Sequence, residues 1–106
     1  REHTISKLLT LDDNQTAVTT GLDFLESQVK YVKIVYKIER GSESRTGSMS
    51  IAIKSGASNL SDDYNETAVL GVSFSVTHSG GTATLKYTTT STGSSASMTY
   101  YIEYLN

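Results

Sequence analysis

The chain of 106 residues contains no cysteine, no proline and no tryptophan. Without cysteine it can form neither a disulfide nor a thiolate metal site, and its redox compartment stays open. Without proline, its chain reversals fall mainly to the eight glycines. Without tryptophan there is no indole to line a sugar cleft, which together with the small size argues against a glycoside hydrolase. Positive charge is also scarce. Nine Lys and Arg against eleven Asp and Glu give a net charge of -2, which argues against a surface that tracks a phosphate backbone. No apolar run is long enough for a membrane helix, and no signal-peptide pattern opens the chain. Neither nucleic acid nor membrane insertion is therefore expected. The chain begins at Arg1 rather than Met. Residues 1–106 read as one domain, either a fragment or terminal domain of a longer protein or a full-length chain with trimmed leading residues.

What is present is alternation. Over residues 29–54, Val32, Ile34, Tyr36 and Ile38 share one side of an extended backbone, and Tyr31, Lys33, Val35 and Lys37 share the other. Met49, Ile51 and Ile53 resume the apolar stripe after a polar run over residues 40–47, which predicts an antiparallel hairpin with that run as its connection. Residues 70–76, 83–87 and 98–104 alternate in the same way, and His78-Ser79-Gly80-Gly81 and Thr92-Gly93-Ser94 mark turns. These last strands predict a meander. Residues 4–11 and 15–20 add two short strands, and residues 22–28 a patch that could wind into one helical turn. Residues 55–67 show no periodicity and predict a surface loop or a crossover between sheets. Serine and threonine, roughly three residues in ten, suit hydroxyl-rich outer faces. The fold class is all-β: an antiparallel sandwich, jelly-roll-like, of about seven strands.

Three groups of residues are candidate sites. Arg40 and Arg45 flank the predicted hairpin connection with Glu39 and Glu43. They would pair across it, or serve as a receptor for a carboxylate or a sialic-acid-type group. Asp62, Asp63 and Glu66 supply hard oxygen donors of the kind calcium takes, although the order of an EF-hand loop is missing. No other cofactor is expected. Tyr31 and Tyr101 lie opposite the apolar faces of their strands; an outward Tyr combines an apolar body with a hydrogen-bonding tip, which suits a subunit interface or a sugar-binding surface. His3 and His78, the two histidines, have no carboxylate at a triad or metal spacing, and no nucleophile elbow or phosphate loop occurs. Asn14, Asn59 and Asn65 open N-glycosylation triplets that a chain so rich in Ser and Thr yields by chance.

From Ile38 onward the sequence resembles the C-terminal β domains of tailed-bacteriophage tail fibres and related virion appendages. The features that carry the resemblance are the turn Arg40-Gly41…Arg45-Thr46-Gly47, the Asp62-Asp63-Tyr64 segment, the Gly71-Val72…Phe74 strand and the closing hairpin over residues 85–93. It covers about two thirds of the chain and brings no catalytic motif. It implies a non-enzymatic virion module, trimeric on a fibre, that contacts host-surface glycan or protein. A capsid-surface decoration or stabilising protein, a free carbohydrate-binding module and, further off, a small hydrolase are the competing readings.

Overall fold

A computed structural model describes residues 6–105. Eight strands follow in chain order: β1 (Lys7–Leu11), β2 (Val18–Leu25), β3 (Tyr31–Arg40), β4 (Glu43–Lys54), β5 (Ala57–Glu66), β6 (Val72–Ser79), β7 (Thr82–Thr89) and β8 (Ala96–Leu105). They form a five-stranded sheet in the order β1-β8-β3-β4-β5 and a three-stranded sheet in the order β2-β7-β6, all pairs antiparallel. β8 inserts between β1 and β3, and β7 between β2 and β6, so the sandwich is rolled rather than laid down strand after strand.

The alternation read from the sequence sets the interior. Val32, Ile34 and Ile38 of β3, Met49 and Ile51 of β4, Leu85 of β7 and Met98 of β8 are fully buried between the sheets. Each such side chain contributes roughly 1.5–3 kcal/mol of hydrophobic stabilisation. Phe74 and Ile102 are partly buried against them.

Four expectations are corrected. The hairpin reverses at Gly41-Ser42, not over residues 40–47: Arg40 pairs with Glu43 and the ladder continues through Arg45 and Gly47. Gly41, at φ +64, supplies the positive φ that a two-residue hairpin turn needs. Residues 55–67 are chiefly strand: β5 pairs along the whole of β4, and the chain changes sheets only over residues 67–71. The last three strands are not a meander, because β6 and β7 belong to the small sheet and β8 to the large one. His78 lies within β6, ahead of the Gly80-Gly81 turn. In residues 22–28, β2 runs through Leu25 and the chain then turns once, with the Val29 N–H donating to the Leu25 carbonyl at 3.1 Å. His3 and Ile5 lie outside the described residues.

Candidate functional site

Because side chains alternate along a strand, Arg40 falls on the inward stripe of Val32, Ile34, Tyr36 and Ile38. Its side chain is 4 % exposed. Nε donates to the Ser94 carbonyl at 3.0 Å, Nη1 to the Leu70 carbonyl at 2.8 Å, and Nη2 to the Thr90 carbonyl at 2.6 Å and to Asp13 Oδ1 at 2.7 Å. Asp13 in turn accepts the N–H groups of Thr92 and Gly93 at 2.8 and 3.1 Å. Those bonds, the Thr92 one foremost, hold its carboxyl below the ordinary value of 3.8. Arg40 therefore ties the β1–β2, β5–β6 and β7–β8 connections into one end of the sandwich. It is not displayed beside a turn, and the cross-turn pairing with Glu39 and Glu43 does not form. Glu39 meets Lys37 at 3.4 Å, and Glu43 accepts the Thr67 hydroxyl at 2.6 Å.

Arg45 also faces inward, 3 % exposed. Nε donates to Glu66 Oε2 at 3.0 Å, Nη2 donates to the Val72 carbonyl at 2.9 Å, and the guanidinium carbon stands 4.0 Å over the Tyr64 ring. Nη1 is buried with no hydrogen-bond partner; the ring face gives the cation a further, weaker compensation. Gly47 lies between Tyr36 and Tyr64 in one cross-strand row. A Cβ there would collide with the Asp63 carbonyl oxygen and Tyr64 Cβ. The missing side chain lets the Tyr36 hydroxyl reach past β4 and donate to Asp62 Oδ1 at 2.7 Å. Burial chiefly, then the Asp62 hydrogen bond, raises the Tyr36 phenol; burial likewise raises Asp62, against the pull of Tyr36 and Arg45.

The calcium expectation fails on the same alternation. Asp62 and Glu66 turn toward Tyr36 and Arg45, while Asp63 points to the opposite face of β5. No group of three metal-ligating side chains converges among the described residues.

A third network escaped the sequence. His78 Nδ1 and Ser58 Oγ are 2.5 Å apart, and His78 Nε2 and Glu26 Oε1 are 2.6 Å apart. Glu26 also accepts the Gly56 N–H at 3.1 Å, the largest of the effects that hold its carboxyl below the ordinary 4.5. Serine, imidazole and carboxylate in a hydrogen-bonded chain have the order that acyl transfer uses. The loop N–H of Gly56, however, is bonded to the carboxylate and not free to stabilise an oxyanion. The network joins β5, β6 and the β2–β3 turn at the end opposite Arg40.

Tyr31 and Tyr101 both lie half-buried on the outer face of the large sheet. Tyr101 sits beside Val35 in the ladder, and the Tyr31 hydroxyl is 2.9 Å from Ser50 Oγ. Four successive residues of β4 on this face are small, Thr46, Ser48, Ser50 and Ala52, before Lys54 ends the row. Their β3 neighbours Lys37, Val35, Lys33 and Tyr31 are longer, as are Asn65, Asp63 and Asn59 on β5, where Ser61, opposite Ser50, leaves a gap. Thr46, Gly47 and Ser48 thus floor a short trough along β4, which stops where the Tyr31 hydroxyl reaches across the strand to Ser50 Oγ. It encloses an open hollow of about 500 Å³ among Lys33, Val35, Ser48, Asp63, Asn65 and Tyr101. A second hollow of about 320 Å³ lies across the Val35–Tyr101 ridge, beside Lys37 and Thr99. Of the four residues expected to bind a ligand, the fold brings the two tyrosines to one open face and takes the two arginines inside.

No protein family, curated protein or solved structure matches this chain.

Proposed function

We propose that the domain is a non-enzymatic attachment module of a bacteriophage virion appendage, and that it engages host-surface glycan along the β4 trough. The observation that carries this reading is the trough itself: a hydroxyl-lined floor, aromatic residues on one wall, and amide and carboxylate groups on the other. Sugars present apolar ring faces rimmed by hydroxyls, so a tyrosine ring beside Asn and Asp acceptors complements them. The resemblance of residues 38–105 to virion appendage domains supplies the setting. A single open trough of this kind binds weakly, and a homotrimer displaying three would gain avidity from linkage alone.

The test is a glycan array probed with a multivalent form of the domain. Binding to a defined set of glycans is expected. It should be lost in Tyr101→Ala, which removes the ring, and in Ser48→Arg, which fills the trough, while both variants keep the wild-type melting temperature. A blank array would overturn the reading.

A second reading rests on a different observation. Leu8 and Leu105 are 72 and 63 % exposed on the outer face of the large sheet, toward opposite ends of β8, where another virion subunit, including a capsid shell, could cover them. A trimer in solution would support a fibre tip. A monomer that trimerises only on capsids would support decoration.

A further inference from the structure

The two walls of the trough differ in charge, and that difference selects among glycans. Lys33 and Lys37 stand on β3 two residues either side of Val35, so an ammonium flanks the Val35–Tyr101 ridge in each of the two hollows. Among the described residues Lys37 is tied only to Glu39, at 3.4 Å, with both side chains more than half exposed. Lys33 makes no ion pair within 4 Å among the described residues, although Glu103 is its neighbour in the ladder. The facing wall carries Asp63 and Asn65, acceptors suited to sugar hydroxyls and hostile to a second acid.

We infer that the trough takes an acidic oligosaccharide, a uronate- or sialate-type chain, with a ring on Tyr101, its carboxylate toward Lys33 and its hydroxyls toward Asp63 and Asn65. The inference rests on the glycan reading above and adds the ligand's charge and direction. An opposite charge brought to a solvent-accessible lysine, half-buried at Lys33 and exposed at Lys37, contributes modestly, so the preference for acid over neutral ligand is up to about fivefold per lysine. Salt weakens it, because the lysines are screened. Glu103 opposes the acid, and removing its charge strengthens binding.

The experiment measures affinity for matched pairs, an acidic oligosaccharide and the same chain with its carboxyls reduced to alcohols. The expected result is tighter binding of the acidic member, a preference that Lys33→Gln diminishes, Lys33→Gln/Lys37→Gln abolishes and Glu103→Gln enlarges. In both lysine variants the reduced chain should bind as well as it binds wild type. Equal binding of both members by the wild-type domain, lost in Tyr101→Ala, would overturn the charge inference and leave the glycan reading standing. Binding of neither member, on this or any printed glycan, would overturn both.

Discussion

At one end of the sandwich Arg40 collects four backbone carbonyls, the Gly71 one at a long 3.4 Å, and the Asp13 carboxylate, and Asp13 accepts two backbone N–H groups. At the other end His78 stands between Ser58 and Glu26, and Glu26 accepts one backbone N–H. Both ends are closed by a nitrogen base paired with a carboxylate that also caps a turn. They differ in the base and in how many strangers it holds. Arginine is charged throughout and presents five donors in a fixed fork, so it satisfies carbonyls from loops that have no ladder of their own. Histidine offers two nitrogens and joins the β4–β5 and β6–β7 hairpins, which ladders already position, to the β2–β3 connection. The Arg40 end depends on its clamp, and the His78 end is only reinforced by it.

Replacing Arg40 should break that comparison most sharply. Arg40→Met keeps apolar volume and leaves the Leu70, Thr90 and Ser94 carbonyls without their donor. A loss of about 3 kcal/mol is expected, which for a domain of this size lowers the melting temperature by roughly 12–20 °C. Calorimetry checks it, and a loss no greater than that of His78→Ala would erase the contrast between the ends.

His78→Ala should cost less, about 1–2 kcal/mol, since Ser58 and Glu26 can turn to water. The same network makes a chemical prediction: a fluorophosphonate probe should leave Ser58 unlabelled at neutral pH, read by intact mass. Stoichiometric labelling at Ser58, lost in His78→Ala, would make the relay a working nucleophile rather than a strut.

The acid limb of the stability curve sharpens the comparison further. Asp13 and Glu26 have lowered values in the folded state, so their contribution is complete at neutral pH. It is lost as the pH falls below the ordinary 3.8 and 4.5 toward the folded values. Asp62 is raised by burial and has the opposite sign: in the folded state it takes up its proton above 3.8, which relieves its burial as the pH drops. A shallow gain of stability on mild acidification, followed by a steep loss, is the expected profile of denaturant midpoint against pH. Asp62→Asn should remove the gain, and Asp13→Asn and Glu26→Gln should each flatten the loss.

Much of this was legible in residue order. The apolar alternation of β3, β4, β6, β7 and β8 gave both the strands and the core. It also contained the burial of the two arginines: Arg40 extends the even-numbered stripe of β3, and Arg45 the odd-numbered stripe of β4. Reading the polar run at residues 40–47 as a connection hid that parity. β5 was not legible, because its inward positions include Asp62, Tyr64 and Glu66, polar tips that are tolerable only because Arg45 and Tyr36 meet them. The Ser58, His78 and Glu26 network joins residues 20 and 52 positions apart, and no local spacing reports such a meeting.

Period-two patterning needs only the pleat of an extended backbone, so the sequence alone determined that the chain is all-β and which side of most strands is apolar. Which sheet each strand joins, which polar groups may be buried and where a trough opens were decided by the tertiary structure. Those outcomes depend on partners brought from distant segments: an arginine can enter the interior only where carbonyls and carboxylates have gathered to receive it.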